Sequence, residues 1–409
     1  MSGDRSTAPA AFFFLALPFG ISAGFANVTL PFVLTRAGFS VASSAAIVAV
    51  GISSNIWRFF WGPVADVTLT LRRWYLIGLF ACAGSLFFVS TMPLNPNAPG
   101  VLTIAVFLSQ VAATFVMLPL GGLMAHTVAD GQKGRAAGWF QAGNLGGMGA
   151  GGGAGVWLAQ HVSTSTAGAV LALAMIGCAG ALVFVPDIRP STHESIGHRM
   201  RGAGRDFLDL LRSPIALLVM VLVMSPIGAG GAINLWSAVA PDWRASPDTV
   251  ALVTGVLSGV ASVAGCVVIG WICDRFGRWW AFFGSGAMMA AVAVGMAMLS
   301  RTPFMYVAGV LLYAVSTGGT YAAFSALLLH VTGRGAASTK YATLSSLGNF
   351  PTAYMTAFDG WMHDRSGAGG MLNGEAALGL GCIVLGLAAL GPINRAAARR
   401  RAGAPSQSV

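Results

Sequence analysis

The sequence is dominated by twelve long apolar runs that carry almost no charge. A helix that crosses the hydrocarbon of a bilayer needs about 20 apolar residues at a rise of about 1.5 Å each. Backbone polar groups in hydrocarbon must bond within their own segment, so such runs predict helices, whereas strands of a membrane barrel would alternate polar and apolar residues. The predicted spans cover residues 10–34, 41–64, 74–92, 101–125, 136–159, 167–185, 215–240, 250–273, 279–299, 303–329, 341–358 and 376–393.

Charged residues are too scarce for a water-facing surface. They make up 9% of the chain, against about 25% in soluble domains, and the mean hydropathy is +0.73. Lipid is therefore the expected solvent for most of the chain. The net charge of +10 would suit a nucleic-acid partner only if a soluble basic face existed, and none is predicted.

The basic residues predict the orientation of the chain. Successive spans must cross the membrane in alternating directions, which assigns each loop to one side of it. Of the 23 Lys and Arg, Arg58 lies within a predicted span, and only Arg36, Arg244, Arg301 and Arg365 fall on one side of the membrane. The other 18 fall on the opposite side, which the positive-inside rule assigns to the cytoplasm. The sequence therefore predicts a multi-pass protein of the inner, cytoplasmic membrane with both termini cytoplasmic. The first run is longer than the apolar region of a signal peptide and is expected to be retained.

An internal repeat divides the chain into two halves. Asp66 and Asp274, at the ends of the second and eighth spans, are 208 residues apart, and His126 and His330 are 204 apart. The sequence thus predicts an all-α membrane protein made of two pseudo-symmetric six-helix bundles. Parallel repeats of this kind are typical of transporters whose site lies between the halves. The predicted segments are a cytoplasmic N-terminus (1–9), the first bundle (10–186), a cytoplasmic linker (187–213), the second bundle (214–394) and a basic cytoplasmic tail (395–409).

Motifs for catalysis, metals and cofactors are missing from the sequence. The five cysteines lie in apolar runs without a CxxC pair or a Cys/His cluster, so no metal site and no cofactor are expected. The glycine-rich stretch 143–155 lacks the strand and the Lys-Ser/Thr of a nucleotide-binding loop. Small residues four apart let helix backbones approach closely, so we interpret this stretch as packing and sliding between the halves.

One loop motif carries a family resemblance. The stretch Gly270-Trp-Ile-Cys-Asp274-Arg-Phe-Gly277-Arg278 resembles the loop signature of the major facilitator superfamily. This resemblance implies the superfamily's twelve-helix fold and a secondary active transporter that moves a small solute by alternating access, with proton coupling as an expectation. The alternatives are a uniporter of the same fold, a membrane-embedded lipid-modifying enzyme, and a non-transporting receptor or scaffold. We expect a monomer whose partners are a small-molecule substrate, a co-transported proton and the bilayer.

Two further stretches resemble a narrower group. They are Arg58-Phe-Phe-Trp61-Gly-Pro63-Val-Ala-Asp66, and residues 323–329 with 338–347 and 360–361. Both are similar to AmpG-like muropeptide permeases and their acetyl-CoA transporter relatives. The resemblance implies an anionic or amphiphilic solute such as a cell-wall fragment. The first loop departs from the group, because Val67-Thr-Leu-Thr-Leu replaces the Arg-x-Gly continuation.

The loop aspartates are candidates for a gate. An aspartate where a helix reaches the cytoplasm can cap the next helix or bond an arginine across the loop. We therefore predict a latch that holds one conformation; the alternative is stabilisation of the loop alone. The predicted gating residues are Asp66, Asp274, Arg275, Gly277 and Arg278.

Charged and polar groups within the spans are the candidates for binding. Arg58 binds an anionic group of the substrate, as the resemblance implies, or it snorkels to the inner interface or pairs with Asp66. Asp359 is the proton-coupling candidate, because desolvation favours a protonated carboxyl; the alternative is a water-exposed residue at the outer interface. Uncharged polar side chains contact either substrate or neighbouring helices. The predicted substrate-binding residues are Arg58, Asn27, Asn55, Gln110, Gln141, Asn144, Asn234, Asn349 and Tyr354.

Overall fold

The computed structural model describes residues 7–39, 41–57, 65, 68–187, 196–332 and 337–402. Within these ranges the regular structure is helical and no strand is present. We number the helical segments that correspond to the predicted spans α1 to α12.

The first half consists of six segments that follow the predicted spans closely. Two of them, α1 and α5, contain a single π-helical stretch each, at Phe25–Thr29 and Ala150–Ala154. The segments are α1 (11–36), α2 (Val41–Trp57), α3 (Leu71–Thr91), α4 (Gly100–Thr127), α5 (133–161) and α6 (Thr164–Phe184).

A linker helix, Ile196–Arg212, connects the halves. The second half contains α7 (214–243), α8 (247–276), α9 (Arg278–Met298), α10 (Pro303–Thr332), α11 (337–366) and α12 (368–402). The last two form one long helical run that is divided at Gly367, whose φ of +64° breaks the helical path.

Among the described residues, eight helices are long and apolar enough to cross a membrane by length and composition alone. One of these eight is the 56-residue run Ala337–Pro392, which contains both α11 and the apolar part of α12. The described part of α2 and the unbroken start of α7 are shorter apolar helices, and α5 is rich in glycine. These criteria therefore do not reach the predicted count of twelve.

Large apolar side chains cover the outside of the bundle. Phe80, Phe88, Val101, Leu173 and Leu385 each expose more than half of their surface. Apolar side chains exposed to this extent would promote aggregation in water, so they identify the surface that faces lipid.

The glycine-rich stretch of α5 packs directly against the backbone of α1. A Cβ on Gly147 would lie 2.5 Å from the carbonyl oxygen of Leu17, and one on Gly151 would lie 2.0 Å from that of Ile21. Real Cβ atoms do not approach so closely, so only glycine permits this contact. The first half is therefore built on a seam in which two backbones touch. Close packing was predicted correctly, but these glycines contact α1 of the same half, so the expected placement between the halves was wrong for them.

The α7 segment is interrupted in its middle. Its first part, Pro214–Val223, is followed by an irregular stretch in which Gly228 and Gly230 adopt φ angles of +62° and +70°. A 3₁₀ turn, Gly231–Asn234, begins the second part. The sequence predicted one continuous helix over 215–240, and this expectation was wrong in the middle of the run.

Side chains of α11 satisfy the freed carbonyl groups of this stretch. Tyr354 donates to the carbonyl oxygen of Met224 at 2.8 Å, and Thr352 to that of Ala229 at 3.0 Å. Thr356 donates to the carbonyl oxygen of Gly231 at 3.1 Å. Irregular backbone at membrane depth needs such partners, so α11 holds the interruption of α7 in place.

Candidate functional site

A cavity of about 1090 Å³, a volume that includes its open mouth, lies between the two halves. Helices α1, α2, α4 and α5 of the first half and α10 and α11 of the second supply its walls. Its described lining combines uncharged polar residues with aromatic and aliphatic ones. The lining residues are Phe19, Ala23, Asn27, Asn55, Met117, Leu118, Phe140, Gln141, Asn144, Leu145, Met148, Tyr321, Phe324, Tyr341, Ala342, Ser345, Gly348 and Asn349.

Five of the predicted substrate-binding residues line this cavity: Asn27, Asn55, Gln141, Asn144 and Asn349. Gln141 donates to Oγ of Ser325 on α10 at 2.7 Å, a hydrogen bond that crosses between the halves. Asn144 in turn donates to Oε1 of Gln141 at 3.2 Å. The structure therefore brings these amides to one place, where they could also bond a solute.

Three other predicted binding residues lie outside the described lining and hold helices together. Gln110 donates to Oγ of Ser22 at 3.1 Å. Asn234 donates to Oγ1 of Thr356 at 2.9 Å, and Tyr354 bonds the interrupted part of α7. Arg58, the predicted ligand of an anionic group, falls outside the described residues, so its role stays a prediction.

Close contacts between the halves shut the cavity at one end, which carries the α4–α5 and α8–α9 loops and which we call the closed end. A Cβ on Gly138 of α5 would lie 2.5 Å from the carbonyl oxygen of Cys266 on α8. A Cβ on Gly121 of α4 would lie 2.5 Å from the ring of Tyr341 on α11. Small residues thus let opposing helices meet with little room between them.

Asp274 forms a polar latch at the closed end. Its Oδ1 accepts a hydrogen bond from the backbone N–H of Gly134 at 2.7 Å, and its Oδ2 accepts from that of Arg135 at 2.9 Å. Nε of Arg135 adds a third bond to Oδ2, at 3.1 Å. The carboxylate, at the end of α8 in the second half, therefore binds the N-terminus of α5 in the first half. The unpaired N–H groups and the positive dipole end of a helix favour an anion there.

The other predicted gating residues surround this latch. Arg278 donates to the carbonyl oxygen of Asp130 and to Nδ1 of His330, each at 2.8 Å, so it also joins the halves. Gly277 has a φ of +98°, which lets the chain turn sharply between α8 and α9. The Arg275 guanidinium lies over the ring of Trp271, 5.6 Å from its centroid. Asp66 falls outside the described residues.

Asp359 lies in a fully buried position on α11, so the alternative of a water-exposed residue is wrong. A second carboxylate that sequence reasoning missed, Glu375 on α12, lies near it and is 5% exposed. Tyr313 of α10 and the backbone N–H of Gly231 both donate to Oε1 of Glu375. The predicted twelfth span began at residue 376, which placed Glu375 in a loop, whereas α12 starts at residue 368.

Ligand groups for a metal ion do not cluster in the described chain: no group of three or more His, Cys, Asp or Glu is placed to hold one. The polar groups that the structure brings together include the amides of the cavity, the latch, and the buried pair of Asp359 and Glu375.

Comparisons with known proteins agree with this architecture. The family model described as Major Facilitator Superfamily matches residues 12–353. A crystal structure of the human organic anion transporter MFSD10 (TETRAN) superposes with a TM-score of 0.70 and 15% sequence identity. The match covers 94% of this chain and 100% of that one, and at this identity it shows the fold alone. No curated protein matches the chain.

Proposed function

The chain belongs to the major facilitator superfamily, and from this premise we propose that it is a secondary transporter that carries a small solute across the membrane by alternating access. The observation that supports this most is the central cavity, which lies between the halves and is shut at one end by the Asp274 latch. A site between two repeats that rock against each other is the arrangement that alternating access requires.

The position of the chain in the membrane is part of this proposal. The positive-inside rule puts both termini and the closed end in the cytoplasm of a cell whose inner membrane holds the protein. The cavity then opens outward in this conformation. We propose that the protein works as a monomer, because the superfamily repeat supplies both sides of the cavity from one chain.

An amphiphilic solute fits the cavity best. Its described lining combines the amides of Asn27, Gln141 and Asn144 with the rings of Phe140 and Phe324. Amides recognise hydroxyl and amide groups, and aromatic faces bury apolar or sugar-like surface. The motif resemblance to muropeptide permeases suggests a cell-wall fragment, and binding of an anionic group depends on Arg58. Coupling to protons through Asp359 is the favoured energy source; a uniporter of the same fold is the alternative.

Solute exchange in proteoliposomes tests the proposal. Purified protein is reconstituted and counterflow is measured for disaccharide-peptide cell-wall fragments, acyl-CoA compounds, sugars and organic anions. We expect one class to exchange without ATP, and a membrane enzyme or a scaffold would exchange none. Lack of exchange by the folded protein for all four classes would contradict the proposal.

The cavity amides predict a specific loss of binding. We expect Asn144→Ala to raise the half-saturating concentration of the exchanged solute roughly tenfold. One hydrogen bond is lost, and Oε1 of Gln141 loses its donor. The control is Asn97→Ala in the exposed α3–α4 loop. Equal effects of the two changes on counterflow would show that the cavity is not the binding site.

Arg58 predicts charge selectivity. We expect Arg58→Gln to weaken binding of anionic solutes roughly ten- to one-hundredfold and to spare their neutral analogues, since a hydrogen bond to a charged group contributes about 1.5–3 kcal/mol. Competition against counterflow with matched anionic and neutral compounds measures this, and Arg244→Gln in an outer loop is the control. Unchanged competition by the anionic compounds would remove Arg58 from the binding site.

A further inference from the structure

The buried acid pair and the interrupted part of α7 meet at one residue, Gly231. We propose that Asp359 and Glu375 form a proton-binding site whose occupancy sets the conformation of residues 224–235 and thereby the shape of the central cavity. The inference rests on the proposed transport function for its consequence, but the site itself can be tested without a solute.

Both carboxylates contact the same point of the α7 backbone. Oε1 of Glu375 accepts the N–H of Gly231 at 3.1 Å. Oδ2 of Asp359 lies 2.3 Å from where a Cβ on Gly231 would stand. The carboxylates thus approach from α11 and α12, and the absence of a side chain at Gly231 lets them do so.

Three oxygens of the pair are buried and have no hydrogen-bond partner in the described chain: both of Asp359 and Oε2 of Glu375. No described Lys or Arg forms a salt bridge with either acid. Two unpaired ionised carboxylates are costly in such a place. A proton bound to either acid removes one of the two charges and leaves a single negative charge on the pair.

The groups that face the pair favour a proton over a metal cation. Tyr313 of α10 and the N–H of Gly231 present donors, whereas a cation needs additional oxygen lone pairs. The α9 residues beside Glu375, Met289, Ala290 and Ala293, carry no ionisable group. His363 of α11 lies one turn beyond Asp359 and pairs with Asp242 of α7 at 2.9 Å.

Two smaller pockets lie between the acid pair and the central cavity. A second cavity of about 370 Å³ shares Tyr321, Phe324 and Gly348 with the central cavity and reaches Gly228 of the interrupted stretch. A smaller space beyond it is lined by both Gly228 and Glu375. The interrupted stretch therefore contacts the acids and lines the second cavity, which adjoins the central cavity.

The consequence for the conformational cycle follows from charge. With one proton bound, the pair carries a single negative charge and holds α11, α12 and Gly231 together. Loss of that proton leaves two like charges that repel each other in a low-dielectric setting. Residues 224–235, which are held by α11 and by Glu375, then loosen, and the wall of the adjoining cavity moves with them.

Hydrogen–deuterium exchange of the full chain in nanodiscs tests the site directly. Exchange of residues 224–235 is measured between pH 5.5 and 8.5 and divided by the chemical exchange rate at each pH, with α3 as the internal reference. We expect the corrected exchange of 224–235 to rise roughly tenfold toward alkaline pH, while α3 stays constant. The double variant Asp359→Asn/Glu375→Gln, which is neutral at every pH, is expected to lose this dependence.

Asp364→Asn is the matched control, because Asp364 lies on the same helix and is exposed. A pH-independent wild type, or a double variant that keeps the wild-type dependence, would overturn the inference; a response to Na⁺ at constant pH in place of the pH response would also do so.

Counterflow in proteoliposomes separates this result from the proposed function. If the double variant still exchanges solute but no longer accumulates it along a pH gradient, both the proton-site inference and the proposed transport function hold. If the wild type exchanges no solute while the exchange data behave as expected, only the transport proposal fails.

Discussion

Gly151→Leu is expected to prevent folding of the protein. A Cβ at this position would stand 2.0 Å from the carbonyl oxygen of Ile21 and 2.7 Å from its carbonyl carbon. Overpacking of side chains in a core costs about 1–3 kcal/mol. Here a Cβ attached to the α5 backbone would clash with the α1 backbone, and a rotamer change cannot relieve such a clash. The α1 and α5 backbones must therefore separate, which opens the seam on which the first half is built.

Gly153→Leu is the matched control, since it lies two residues further along α5, is exposed, and has no atom within 4 Å of its Cβ position. The measurement is the yield of monodisperse protein in detergent and its melting temperature by fluorescence-detected size exclusion. We expect wild-type values for Gly153→Leu and little or no monodisperse protein for Gly151→Leu. A Gly151→Leu protein with the yield and melting temperature of the control would show that α1 and α5 do not touch as described.

Asp274→Ala is expected to shift the population of conformations away from the state that is shut at the closed end. The change removes two backbone hydrogen bonds and one ion pair that join α8 to the N-terminus of α5. The carboxylate is 8% exposed, so water replaces little of what is lost. Hydrogen bonds to a charged group contribute about 1.5–3 kcal/mol, which corresponds to a roughly ten- to one-hundredfold change in the ratio of the two states.

Arg275→Gln is the control for the latch, because Arg275 belongs to the same motif and its described contacts are the rings of Trp271 and Phe276. Spin labels on the ends of α4 and α10, read by pulsed electron–electron double resonance, measure the distance across the closed end. We expect longer distances to gain population in Asp274→Ala and the wild-type distribution in Arg275→Gln. An unaltered distribution in Asp274→Ala would mean that the residue only stabilises its loop.

The helical architecture was predictable because hydrocarbon imposes a simple rule of length and hydropathy. The glycines of α5 were predictable as packing positions because Gly143, Gly147 and Gly151 recur every four residues, but their partner is α1 of the same half rather than a helix of the other half. The interruption of α7 was missed because hydropathy averages over backbone conformation. Pro226 and the glycines at 228, 230 and 231 were nevertheless a signal in the sequence, because together they remove helix propensity in the middle of a span.

The candidate site was predicted less completely than the fold. The amides of α5 could be found because polar groups are rare in a span, but the same argument also selected Gln110, whose amide binds the α1 residue Ser22. Glu375 was missed because a charge lowers the hydropathy of its own window and moves the predicted helix start past it. Burial of such an acid depends on Tyr313 and Gly231, which are 62 and 144 residues away in the chain. No local pattern contains that information.

The seam between α1 and α5 has a mechanical consequence. Two backbones in direct contact leave no side chains that could slide or repack, so the first half is expected to move as a stiff body. The second half contains the interrupted helix α7, where the chain can bend. Pairs of probes within the first half should keep their spacing throughout the transport cycle, while pairs within the second half should change theirs.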